Sequence, residues 1–108
     1  MASARKKAGR PIKVTDEMAA IRCAVGDGAI REEVWKDADG AVVRYNLAFI
    51  NSELFAGDNG RVHGYDTAHG HAHRHFAGAV KVIEPAPYRK IFELFIAKVD
   101  QLKRRRKL

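Results

Sequence analysis

The stretch Ala41-Val42-Val43-Arg44-Tyr45-Asn46-Leu47-Ala48-Phe49-Ile50 decides the fold. Val43, Tyr45, Leu47 and Phe49 alternate in it with Arg44, Asn46, Ala48 and Ile50. Strand side chains alternate between faces, so this segment is a strand whose apolar face must meet a core. Upstream, Asp37-Ala38-Asp39-Gly40 supplies a turn. Ala29 to Lys36, with Ile30, Val34 and Trp35, then reads as the partner strand, and Trp35 as a core residue. Downstream, Asp58-Asn59-Gly60 is a second turn signal, Arg61 to Asp66 a third strand, and Thr67 to Gly70 a tight connection. His71 to Ile83 reads as one further strand with a bulge at Gly78.

Pro85 and Pro87 break that strand and open a helix, because proline is tolerated in a first helical turn. Tyr88, Ile91, Phe92, Phe95, Val99 and Leu102 recur at spacings of three and four, one apolar stripe of an amphipathic helix. Near the N-terminus, Thr15 can cap a short helix with Asp16 and Glu17 in its first turn, stopped at Gly26-Asp27-Gly28. The fold class expected is α+β: a small antiparallel sheet of about three to five strands, packed on a C-terminal amphipathic helix, with a short N-terminal helix.

A chain of 108 residues suits one domain. Its net charge of +7 comes from 20 Lys and Arg against 13 Asp and Glu, unevenly spread. Arg5, Lys6, Lys7, Arg10 and Lys13 crowd the first residues, and Lys103, Arg104, Arg105, Arg106 and Lys107 the last. We therefore expect a basic flexible arm over 1–14, a domain over 15–102 and a basic tail over 103–108. Basic arms attract phosphate backbones without reading sequence. No apolar run approaches the roughly 20 residues of a membrane span, and no apolar segment of a signal peptide follows the basic start. The single cysteine, Cys23, cannot pair within the chain and reads as a small apolar filler. These features point to the cytoplasm and to no membrane partner.

The five histidines, His63, His69, His71, His73 and His75, all lie within thirteen residues. In an extended segment His71, His73 and His75 share one face, opposite Arg74 and Phe76, with Val80 and Val82 expected on the Phe76 side. Three readings are open. Alternate histidines can chelate a metal, although finger-type Cys/His spacing is absent. They can also serve as acid and base, since free imidazole titrates at about 6.5. Metal-free RNA cleavage needs such a pair, plus cations for phosphate. The third reading is a polar, solvated sheet face. Tyr65 can hold a phosphate or stack on a base, Asp66 can orient a histidine, and Arg44 can bind phosphate from the neighbouring strand.

Arg44-Tyr45-Asn46-Leu47-Ala48-Phe49, then Gly64-Tyr65-Asp66-Thr67-Ala68-His69-Gly70, then His73-Arg74-His75-Phe76, then Phe92-Glu93-Leu94-Phe95 make up an ordered motif set. In this order the chain resembles the TumE-type toxins of prokaryotic toxin–antitoxin pairs over roughly residues 28–102. Thr67 stands where that pattern has Asn. The resemblance implies a ribonuclease toxin and a cognate antitoxin, a helix-turn-helix protein encoded alongside. It matches Tyr65, Asp66, His73 and His75 to the catalytic motif and Arg74 to a position beside it. The expected function is thus a toxin cleaving RNA without a metal or other cofactor. His73, His75, Asp66 and Tyr65 are its candidate catalytic residues. Arg44, His69, His71, Arg74, Lys103, Arg104, Arg105 and Arg106 are its candidate RNA contacts. A homodimer is compatible with the sequence. The alternative is a non-enzymatic nucleic-acid-binding or regulatory module working through its basic termini.

Overall fold

A computed structural model describes residues 10–68 and 70–108. Six strands form one antiparallel sheet in chain order: β1 Ile12–Ile21, β2 Gly28–Lys36, β3 Val42–Ile50, β4 Arg61–Ala68, β5 His71–Phe76 and β6 Ala79–Ile83. One helix follows, α1 Tyr88–Leu102. The α+β class and the C-terminal helix are as expected; the strand count is higher, and two elements account for the difference.

The first is β1. Residues expected to begin a helix at Thr15 instead pair along β2, from Ile12 opposite Lys36 to Ile21 opposite Gly28. The start signals at Thr15, Asp16 and Glu17 are local and weak, whereas β2 would otherwise present a long unpaired edge. Asp16 does not stabilise a helix dipole; it accepts from Lys13 at 2.8 Å and from Arg31 on β2 at 3.1 Å. Of the arm expected over 1–14, residues 1–9 lie outside the described residues, and 12–14 belong to β1.

The second is the split of His71–Ile83 into two strands. Ala77 (φ 48°) and Gly78 (φ 86°) are both left-handed, the requirement for a two-residue hairpin turn twisted to match its strands. Gly78 is a turn residue and not a bulge. The turn reverses the pattern, so Val80 lies opposite His75 and Val82 opposite His73. Both valines share the histidine face, 59% exposed each, and not the Phe76 side expected from one continuous strand.

The core forms where α1 crosses β3 and β4. Tyr45, Leu47 and Phe49 from β3 and Val62 and Tyr65 from β4 meet Ile91, Phe95, Val99 and Leu102 from the helix stripe. Cys23 is half-buried against this cluster. Tyr88 donates to Glu32 on β2, which ties the start of α1 to the sheet. At the other end, the Ala24 N–H donates to the Lys103 carbonyl at 2.8 Å, and Arg106 donates to the Ala24 carbonyl at 3.3 Å. Among the described residues no helix is long and apolar enough to cross a membrane. Among the described residues the sheet face opposite α1 carries no helix, and it holds most of the polar side chains considered next.

Candidate functional site

Alternation on antiparallel strands sorts the chain into two faces. Asn46, Asp66, His73 and Val82 form one row across the open face, each opposite the next. Asp66 is the hub of that row. Its Oδ2 lies 2.9 Å from His75 Nε2, and its Oδ1 lies 3.6 Å from His73 Nδ1. Arg61 Nη1 stands 3.6 Å from Oδ2, while its Nε donates to Asp58 at 2.8 Å. Arg61 reaches Asp66 because Gly64 lies beneath it: a Cβ on Gly64 would stand 3.3 Å from the Arg61 Cδ and 2.5 Å from the Leu47 carbonyl oxygen.

The geometry separates the two histidines. An ionised carboxylate only accepts, so His75 carries its proton on Nε2 and leaves Nδ1 bare. That Nδ1 is buried without a partner, closed off from any ligand. His73 turns Nδ1 toward Asp66 and keeps Nε2 for another group. His71, at the start of β5, is exposed, with its ring centroid 6.5 Å from that of His73.

The structure does not bring every candidate to this place. Tyr65 precedes Asp66 by one residue and therefore faces the helix, 6% exposed and edge-on to His63 at 5.2 Å. Arg74 also points to the helix side, above the Phe76 ring at 5.6 Å, with Lys98 of α1 over the same ring at 5.3 Å. His69 lies outside the described residues. Lys103 to Arg106 sit beyond the end of α1, where Asp100 accepts from Arg104 at 3.0 Å and stands 3.2 Å from Lys103 Nζ. Those cations hold the Asp100 carboxyl below its usual range.

Arg44 is on the open face, stacked 4.4 Å from the Trp35 ring centroid. Trp35 is not a core residue: it pairs with Arg44 on one side and Lys13 on the other, on the open face. Beside it, Glu33 meets Lys13 at 2.6 Å and accepts from Asn46 at 2.8 Å and from Arg31 at 3.1 Å. Lys13 foremost, with Asn46 and Arg31, brings the Glu33 carboxyl down to about 2. Among the described residues no three His, Cys, Asp or Glu side chains are grouped to hold a metal.

His63, one of the five clustered histidines but assigned no role from the sequence, is fully buried on the helix side. It is stacked on Phe95 at 5.6 Å with both ring nitrogens unpartnered. Burial first, then the nearby charges of Arg74, Lys98 and His75, lowers its pKa to about 4. The unfolded chain protonates this ring below about 6.5 while the folded chain does not, so stability must fall as pH drops from about 6.5 toward 4. We expect His63→Phe to gain about 2–3 kcal/mol relative to the parent between pH 7 and pH 4.5, read by urea unfolding. A difference that stays constant over that range would show that His63 takes up its proton in the folded state.

Compared with known proteins, the chain matches no family model, no curated protein and no solved structure at a significant level. The resemblance to the TumE-type toxins therefore rests on the quoted motifs.

Proposed function

We propose that the protein is the toxin of a toxin–antitoxin pair and cleaves RNA on the open face of its sheet. One observation carries the reading: Asp66 is set between His73 and His75, with His71 6.5 Å from His73. Asp66 and His75 position His73, whose Nε2 takes the proton from a ribose 2′-hydroxyl. The 2′-oxygen attacks phosphorus and the bond to the 5′-oxygen breaks. The leaving oxygen takes its proton from His71, and the products are a 2′,3′-cyclic phosphate and a 5′-hydroxyl. The 6.5 Å between the rings is the two-residue repeat of a strand, which sets the two imidazoles side by side on one face. Arg74 and Tyr65, on the other face, take no part in this step.

The rival reading, a binding module working through its termini, draws on Lys103 to Arg106. Part of that charge is already held by Asp100. This favours the open face over the tail as the site of contact.

The test is incubation of the protein with RNA in EDTA, followed by end analysis. Cleavage that persists in EDTA and yields cyclic phosphate ends supports the reading. Cleavage lost in EDTA and restored by zinc would make the histidines metal ligands. No cleavage, with intact nucleic-acid binding, would leave the binding module. The partner is tested separately, by co-purification with the product of an adjacent helix-turn-helix gene.

A further inference from the structure

Next to the Asp66 row runs a second row of different character. Lys13 on β1 lies opposite Trp35 on β2, and Trp35 opposite Arg44 on β3. From the pairing of Asn46 with Asp66, two residues further along bring Arg44 level with Ala68 on β4, and Ala68 lies opposite His71 on β5. The row therefore reads Lys13, Trp35, Arg44, Ala68, His71. With strands about 4.8 Å apart it crosses roughly 19 Å of sheet. Ala68 leaves a gap between Arg44 and His71, and all three line a cleft of about 650 Å³ at that end of the sheet.

Two irregularities frame the row. The register slips between Lys13 and Thr15, where Val14 is the extra residue of β1, and beside Trp35, where Val43 is the extra residue of β3. Each bulge adjoins one of the two cations that flank Trp35. Bulges re-aim side chains and gather near functional sites. The Val14 bulge brings Lys13 opposite Trp35, and the indole, on this face by alternation with Val34, has Arg44 4.4 Å and Lys13 5.1 Å from its centroid. The two cations differ. Lys13 is committed to Glu33 and Asp16, at 2.6 and 2.8 Å. Among the described residues no carboxylate pairs with Arg44. Its guanidinium carbon lies 4.4 Å over the Trp35 ring centroid.

We propose that this row is the binding track for single-stranded RNA upstream or downstream of the cleavage point. Arg44 holds a backbone phosphate and the Trp35–Arg44 stack receives an unpaired base. The inference deepens the ribonuclease reading and rests on it for the direction of the strand toward His71 and His73. The chemistry selects a single strand. A flat aromatic-cation platform takes a base by its face, and the bases of a duplex present no free face. Spacing agrees: Trp35 is about 14 Å from His71 across three strand intervals, about two nucleotides of extended backbone.

The experiment uses the chain's only tryptophan as its probe. The full-length protein is titrated with a 2′-deoxy oligouridine analogue that cannot be cleaved, and Trp35 emission is followed. Saturable quenching by the single strand, and none by a blunt duplex of equal length, is expected. Arg44→Ala should weaken binding about 10-fold or more and flatten its salt dependence. Trp35→Leu, followed by anisotropy of a labelled strand, should weaken it by a similar factor. Trp35→Phe should recover part of the loss, and near-native circular dichroism in all three variants excludes misfolding as the cause. Unaltered binding by Arg44→Ala and Trp35→Leu, or equal quenching by duplex, overturns the track. The two readings fail separately. If His73→Ala quenches like the parent and no RNA is ever cleaved, the ribonuclease falls and the track stands. If cleavage depends on His73 and Trp35 emission never responds, the track alone falls.

Discussion

His73→Ala is expected to lower the rate of RNA cleavage by about 100-fold or more, the contribution of a well-placed general base. It should change stability by less than about 1 kcal/mol, because the ring lies on the open face, outside the core cluster. The neighbouring changes should not behave alike. His75 presents only Nε2, and that atom is bonded to Asp66. His75 is therefore a positioning residue: His75→Gln, whose amide can still donate to Asp66, should retain most of the rate, and His75→Ala should lose more of it. Asp66→Asn keeps the shape but removes the acceptor-only carboxylate, so His75 and His73 lose the group that orients them. The rate should follow a bell-shaped pH profile, with His71→Ala removing the alkaline limb that an acid catalyst supplies. Single-turnover cleavage of a short RNA measures all five variants. Equal rates for the parent and His73→Ala would sink the assignment. A loss in His75→Gln as deep as in His73→Ala would make His75 the proton carrier instead.

Phe95→Ala is expected to cost about 3–5 kcal/mol, the range for truncating a core aromatic. Phe95 is fully buried on the helix stripe, and its ring is stacked nearly parallel to His63 at 5.6 Å. Truncation leaves a void beneath a polar ring whose nitrogens have no partner, so water can enter beside His63 only by opening the helix–sheet contact. The fold has little reserve against this, since among the described residues one helix covers the sheet and its packing is centred on β3 and β4. Urea unfolding gives the value. A loss below about 1 kcal/mol would mean that the helix is held by its ends, through Tyr88 to Glu32 and Lys103 to Ala24, rather than by its stripe.

Much of this protein is legible one residue at a time. The alternation in β3 names the apolar face that became the core. The spacing of Ile91, Phe95, Val99 and Leu102 names the buried side of α1, and the alternation of His71, His73 and His75 names a shared face. Periodicity transmits such information because a strand or a helix repeats its own geometry, whatever it packs against. Other features depend on partners distant in sequence. Thr15 to Ile21 is a strand because β2 offers an edge. Val80 and Val82 change faces because a two-residue turn at Ala77-Gly78 reverses the chain. Lys13 meets Trp35 because a bulge at Val14 shifts the register of β1 against β2. The division of labour between His73 and His75 is also tertiary. Both alternate to the same face, but only the position of the Asp66 carboxylate, one strand away, decides which ring nitrogen is spent and which is left to react.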